Sequence, residues 1–274
     1  LVPGKLITSG GMEQDLLLLN DLPGLTARTV LEAGKEFGTT DVTINVEERA
    51  VSAYFWPNNF GRKEIGQWRV DAGGALNNPL GLGDQLGVSG TYSEDGLLKY
   101  GRGTYSFPLG PDGTRLELAT SASYYRLRDT LLPLGITGDA HNNEITLTHP
   151  FMRTRGQSLV GSAGWRATRL RQNALGLEVS NTKIDLLTVG MNYNQIGEDA
   201  SITTAGAQIS TNFEKNDFGF RTDAQIFRMQ LDLSQLRGVT KEWDGYGRIS
   251  YVYSPDPLPD SEKFSLGGPG SVRG

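Results

Sequence analysis

From about Val51 onward, apolar and polar residues alternate in short segments, and no helical period interrupts them for some two hundred residues. A period of two belongs to strands whose two faces meet different surroundings. Eleven such segments can be counted, near 51–59, 67–76, 85–93, 98–107, 115–125, 141–149, 158–168, 182–193, 201–212, 218–232 and 242–253. In the second, Trp68, Val70, Ala72 and Leu76 share a face opposite Gln67, Arg69 and Asp71. In the fifth, Leu116, Leu118, Ala122 and Tyr124 oppose Arg115, Glu117, Ser121 and Ser123. In the seventh, Leu159, Ala163, Trp165 and Ala167 oppose Ser158, Ser162, Arg166 and Thr168. The apolar phase flips within two segments, at Leu186-Leu187 and at Ile226-Phe227, which predicts a β-bulge in each.

The connections alternate in kind. Compact turns, 77–84, 108–113 and 150–157, follow even-numbered segments, and stretches of variable length follow odd-numbered ones. Strands of about ten residues with short turns at one rim and longer loops at the other describe a transmembrane β-barrel. Such a barrel also explains the charged rows Arg69, Asp71, Arg115, Glu117, Arg166, Arg221, Asp223 and Arg248 as the lining of an aqueous lumen. The solvated face of a soluble sandwich is the alternative. A mean hydropathy of −0.34 is compatible with either, because lipid-facing and lumen-facing residues average out. No stretch approaches the ~20 apolar residues of a membrane helix.

Residues 1–49 read differently. A short helix over Gly11–Asp21, with Met12, Leu16 and Leu19 on one face, is stopped by Pro23-Gly24. Two alternating segments, Leu25–Leu31 and Thr40–Glu48, then form a hairpin. A unit this small is marginal alone.

The chain's last eleven residues, 264–274, carry four glycines, a proline and one cation, Arg273. Gly267, Gly268, Pro269, Gly270, Ser271, Val272, Arg273 and Gly274 describe a narrow hairpin tip that could enter a confined space and be held there by an arginine–carboxylate pair. An ordinary glycine-rich surface loop is the other reading of these residues.

Taken in order, Leu16–Gly24, Asn77-Asn78-Pro79-Leu80-Gly81-Leu82-Gly83-Asp84, Phe107–Gly110, His149-Pro150 and Phe264–Gly274 resemble the outer-membrane transporter of two-partner secretion, the haemolysin and adhesin type (TpsB, ShlB/FhaC). The resemblance implies two periplasmic POTRA domains followed by a sixteen-stranded barrel. Its first periplasmic turn would be Asn77–Asp84. Its long loop after the eleventh strand folds back into the lumen, where Arg273 pairs with an aspartate of the barrel wall. The expectation is therefore a mainly β chain, a partial antiparallel transmembrane barrel of about 11 of 16 strands. Residues 1–49 would be the C-terminal part of the second POTRA domain and residues 50–274 the first two-thirds of the barrel, a fragment cut at both ends. The implied function is an outer-membrane pore that moves an unfolded partner exoprotein from periplasm to cell surface without ATP. An outer-membrane assembly factor of the same superfamily is the alternative.

No enzyme, cofactor or metal is expected. The chain has no cysteine and two histidines, His141 and His149, without a nucleophile-elbow serine or ligand spacing. With a net charge of −5 and no basic block, nucleic acid is not an expected partner.

Overall fold

A computed structural model describes residues 6–212, 225–240, 242–259 and 262–263. Helix α1 (Ser9–Asn20) opens the fold, capped by Thr8, whose hydroxyl accepts from Gly11 N–H at 3.2 Å. Strands β1 (Leu25–Ala33) and β2 (Thr40–Glu48) form an antiparallel hairpin. Its register puts Ala27 opposite Val46, Thr29 opposite Ile44 and Leu31 opposite Val42, so the two apolar rows share a face. Asn20, at the end of α1, locks helix to hairpin. Its side-chain amide donates to Ala27 C=O and accepts from Ala27 N–H, at 3.1 and 2.8 Å.

Eleven further strands form a second, separate sheet in strict sequence order, every neighbour antiparallel. They are β3 (Val51–Asn58), β4 (Arg69–Asn77), β5 (Gln85–Ser93), β6 (Leu98–Pro108), β7 (Arg115–Arg126), β8 (Thr137–Arg153), β9 (Gln157–Ala174), β10 (Leu177–Ile196), β11 (Ile202–Thr211), β12 (Phe227–Gly238) and β13 (Asp244–Tyr253). This up-and-down meander is the expected partial antiparallel barrel. Among the described residues α1 is the one α-helix, joined by three short 3₁₀ turns in the loops.

Three details depart from the sequence expectation. First, β8, β9 and β10 are 17, 18 and 20 residues long, well beyond the ten-residue segments. Most of the added length of β9 and β10 lies at the end joined by the tight Leu175-Gly176 turn, both residues at positive φ, while β8 gains four residues at each end. There the face in line with Trp165 is polar while Leu170 and Leu177 sit on the other, so the apolar alternation is lost.

Second, no bulge lies at Leu186-Leu187, where the pairing with β9 runs unbroken from Ser180 to Gln195. Leu186 is simply on the polar face and Leu187 on the apolar one. The register shifts fall instead between Pro150 and Met152 and between Glu178 and Ser180. Ile226 likewise precedes β12, whose pairing with β11 is continuous.

Third, the tenth strand of the sheet ends at Gly238, six residues past the predicted 232. Its predicted start at 218 lies outside the described residues.

The two faces are chemically distinct. One carries Leu118, Ile145, Trp165 and Leu187 as cross-strand neighbours, with Leu116, Leu147, Ala163 and Val189 in the adjoining row. The other carries hydroxyls, amides and charges. The buried apolar cluster is small and sits on the polar face: Ile184, Leu186 and Ile226, with Leu258 packed against them.

Candidate functional site

Pairing register fixes which side chains meet on the polar face. Asp71 accepts from Asn58 at 2.6 Å and from Thr91 at 2.5 Å, and Arg69 approaches it at 3.7 Å. Arg102 on β6 bridges Glu144 on β8 at 2.9 Å and Glu117 on β7 at 3.4 Å. Asn142 on β8 accepts from Thr168 on β9 at 2.7 Å and donates to Ser121 on β7 at 3.3 Å. Asp232 on β12 accepts from Ser250 at 2.5 Å and meets Arg248 at 3.4 Å. These contacts run laterally across strands, so the polar face is a charge-paired lining. Arg69, Asp71, Glu117 and Arg166 belong to this face, as does Arg115, whose guanidinium donates to Gly83 C=O and to Ser106 Oγ. Val70, Leu116, Leu118, Tyr124 and Trp165 are in the opposite phase, and Trp68, one residue before β4, is exposed. Arg221 and Asp223 lie outside the described residues.

The segment after β13 lies against this lining. Glu262 is almost fully buried, at 5% exposure. Its Oε1 is 2.5 Å from Arg166 Nη2 on β9, and its Oε2 is 3.8 Å from Arg228 Nη1 on β12. Leu258 packs on Ile184, Leu186 and Ile226. Glu262 N–H donates to Pro259 C=O at 2.9 Å and Ser254 Oγ to Asp256 C=O at 2.8 Å, which keeps the stem compact. A buried carboxylate flanked by two guanidiniums and an apolar plug is a specific anchor for a loop. Sequence reading missed Glu262 and Leu258. The signal available was the out-of-phase pair Ile184 and Leu186, two aliphatic residues on an otherwise polar face. The tip itself, Gly267, Gly268, Pro269, Gly270, Ser271, Val272, Arg273 and Gly274, lies outside the described residues.

The turn Asn77–Asp84 has an internal logic. Asn78 takes φ +55°, and its side chain accepts from Gly83 N–H at 2.8 Å. Asp84 is fully buried and accepts from Leu80 N–H, Leu82 N–H and the Tyr105 hydroxyl. Burial alone would raise its pKa, but the Leu80 N–H, the Tyr105 hydroxyl and the Leu82 N–H together hold it below the usual carboxylate value. Pro79, Leu80 and Gly81 form the outer bend, with Gly81 at φ +76°.

The same turn receives the N-terminal unit. Asn77 Nδ2 donates to Arg49 C=O at 2.7 Å, and Asn77 N–H to Ala50 C=O at 2.8 Å. A Cβ at Gly24 would lie 2.4 Å from Asn77 Nδ2 and 2.5 Å from Arg49 O, so glycine is required there. Leu18 of α1 reaches the next turn, where a Cβ at Gly113 would lie 2.7 Å from its Cδ2. Leu18 and Leu19 both line the cleft against these turns, and Leu18 lies about 200° around α1 from Leu16, so the four-leucine run makes the helix apolar over more than one side. Asp21 closes the joint in a bidentate pair with Arg153 of β8, both contacts 2.8 Å. A cleft of about 760 Å³ lies between α1 and these turns.

At the opposite rim Arg128 gathers three loops. It pairs with Glu94 and Asp95 and donates to Lys63 C=O. His149 Nδ1 is 2.8 Å from Thr114 Oγ1, and His141 stands on the apolar face. Among the described residues no three His, Asp or Glu side chains are grouped to hold a metal ion.

Residues 38–274 match the family described as haemolysin secretion/activation protein ShlB/FhaC/HecB. The heme/hemopexin transporter protein HuxB of Haemophilus influenzae strain 86-028NP is 28% identical over 283 residues, covering 98% of this chain and 50% of HuxB. The solved structure of CdiB from Escherichia coli superposes with a TM-score of 0.83 at 24% identity, over 99% of this chain and 53% of that one. BamA from Haemophilus ducreyi lacking POTRA domains 1–3 gives 0.58 at 18%, over 91% of this chain and 50% of that one, a likeness of fold. The chain spans about half the length of the curated relatives it matches.

Proposed function

The chain belongs to the haemolysin secretion/activation family ShlB/FhaC/HecB, an outer-membrane family, and on that premise we propose that it forms most of a pore that exports a partner protein. The partner crosses unfolded from periplasm to cell surface, without ATP and without any covalent chemistry. The observation that carries this reading is the segment after β13, residues 254–259 and 262–263, docked on the polar face by Glu262 and Leu258. A sheet with a charge-paired polar face and an apolar opposite face suits a water-filled barrel in lipid. A loop stem fastened to that lining suits a pore whose lumen is occupied and regulated from within.

Residues 1–49 act as the C-terminal part of a POTRA domain and residues 50–274 as the first two-thirds of the barrel. The hairpin β1–β2 offers free strand edges to an extended partner segment, a common mode of peptide capture. Arg69, Asp71, Arg115, Glu117 and Arg166 line the translocation path. The turn Asn77–Asp84 couples the periplasmic unit to the barrel. Arg273 pairs with a carboxylate of a later strand and fixes the loop tip, with Gly267–Gly274 supplying the slender backbone. The family match favours secretion over barrel assembly, and the likeness to BamA is one of fold alone.

The test is co-expression of the full-length parent protein with the product of the neighbouring reading frame. The partner is expected in the medium with the parent and in the periplasm without it. Arg273→Ala should cut secretion at unchanged outer-membrane abundance. Equal secretion by the parent and by the empty strain would overturn the reading.

A further inference from the structure

The end of β8–β10 nearest the Leu175-Gly176 turn carries an arrangement that pore function leaves unused. Towards the Leu175-Gly176 turn, the apolar face changes abruptly. The row Ile145–Trp165–Leu187 is followed by Asn143–Ala167–Asp185 and then by His141–Arg169–Lys183, each set paired directly across the three strands. At about 3.3 Å per residue, Arg169 lies ~13 Å along the strand from Trp165. This end is opposite the rim held by α1 through Asp21 and Arg153, so it is the extracellular side in the orientation proposed above.

Arg169 and Lys183 are direct cross-strand neighbours. Like charges in that position repel and destabilise the sheet unless an anion sits between them. Among the described residues neither has a carboxylate within ion-pair distance, and nor has Arg171, two residues further along β9. By contrast, Arg69, Arg102, Arg166, Arg228 and Arg248 on the polar face are each paired. Two acids flank the patch. Asp139 stands opposite Arg171 and 4.0 Å from His141, and Asp185 occupies the row nearer the apolar band. They leave the Arg169–Lys183 pair as an adjacent double cation immediately beyond a lipid-facing surface.

We propose that His141, Arg169, Arg171 and Lys183 form a site for the phosphate groups of an anionic lipid of the outer leaflet, whose acyl chains lie along Trp165, Leu187 and Ile145. Arginine and lysine suit phosphate oxygens, and the apolar rows below suit acyl chains. The bound lipid relieves the cation repulsion and fixes the height of the barrel in the membrane. The site rests on the membrane-barrel reading and is independent of secretion.

The test uses the purified, delipidated full-length parent in detergent, with bound lipid counted by native mass spectrometry. The probes are bisphosphorylated lipid A, the same lipid with both phosphates removed, and inorganic phosphate. Lipid A should bind at one site, the dephosphorylated form at least tenfold more weakly, and inorganic phosphate should compete only at far higher concentration. Arg169→Gln with Lys183→Gln should weaken lipid A binding tenfold or more while leaving heat-modifiable mobility and partner secretion unchanged. If that double variant fails to assemble, Lys183→Gln alone should show a smaller loss in the same direction. Unchanged lipid A affinity in a folded variant would overturn the site. So would equal affinity for the dephosphorylated lipid, and inorganic phosphate binding as tightly as lipid A would make it a free-anion site instead.

Discussion

Two segments outside the strand ladder are fastened to this barrel by the same chemistry, an acidic residue on arginine beside a leucine. At the rim that receives α1, Asp21 meets Arg153 and Leu18 packs towards Gly113. On the polar face, Glu262 meets Arg166 and Arg228 while Leu258 packs on Ile184, Leu186 and Ile226. The difference is water. Asp21 is 42% exposed and Glu262 is 5% exposed. An exposed pair is worth little, whereas a buried one leaves an uncompensated charge when a partner is lost. The rim joint can therefore flex at low cost, and the loop stem cannot leave its seat without a large one. In the function proposed above, a periplasmic unit that receives a partner and a loop that holds a pore in one state call for that contrast.

Glu262→Ala should have the largest effect. It strands Arg166 and Arg228 in the lining and releases the stem, at roughly 3 kcal/mol, the lower end of the buried range because Arg166 is itself partly exposed. Planar-bilayer recordings of the full-length parent should show higher open probability or conductance, with normal outer-membrane abundance because the ladder does not use this side chain. Glu262→Gln should fall between. Wild-type conductance in the alanine variant would reduce the anchor to a bystander. Leu258→Ala should come next, at about 2 kcal/mol, since it empties the plug but spares the ion pair. Its openings should be briefer than those of Glu262→Ala, and the reverse order would show that packing rather than charge seats the stem.

Much of this contrast was written unevenly into the sequence. The eleven strands were legible because apolar alternation marks every strand where it crosses lipid. The ends of β8–β10 were not, because there the face of Trp165 turns polar while Leu170 and Leu177 stand on the other, and the period-two signal vanishes although the ladder continues. Ile184 and Leu186 were visible as a break in phase, but a local rule assigns such a break to a bulge. Only the stem lying over them, some seventy residues later in the chain, explains their position. Glu262 gave no local sign, since an acid in a proline-containing segment looks like any loop residue until its arginines are brought in from β9 and β12. Leu18 was hidden inside a four-leucine run that one amphipathic face seemed to account for.

The turn that receives the rim joint adds a pH dependence. Asp84 has a folded pKa below its unfolded value of about 3.9, held there against burial by Leu80 N–H, the Tyr105 hydroxyl and Leu82 N–H. A depressed carboxyl pKa gives stability that is fully present above the unfolded value and lost as pH falls through the folded one. Stability of the full-length parent, followed by heat-modifiable mobility, should therefore be flat at neutral pH and fall below about pH 4. Tyr105→Phe removes one donor, brings the folded pKa closer to the unfolded one, and should lower stability at neutral pH while making the acid fall smaller. An unchanged acid limb in that variant would mean that the two backbone donors suffice.

The smallest effect is expected at Asp21, and it is the one that bears hardest on the contrast between the two fastenings. Asp21→Asn keeps the size of the side chain and its place at the end of α1, where its backbone N–H donates to Leu17 C=O. It removes the charge facing Arg153. An exposed pair contributes about 0.2–1 kcal/mol, and the bidentate geometry here argues for the upper part of that range. Melting should therefore shift by no more than a few degrees, and 0.5 M salt should abolish the difference between variant and parent by screening. The informative readout is motion. With spin labels at Lys35 in the hairpin turn and at Asp199 in the β10–β11 turn, the distance distribution should broaden in Asp21→Asn while its centre stays. The apolar contact of Leu18 and the Asn77–Arg49 hydrogen bond still hold the mean position. Secretion should remain near the parent's. If Asp21→Asn instead abolished secretion as Glu262→Ala is expected to disturb gating, the joint would be a fixed strut, and exposure would not be what separates the two fastenings.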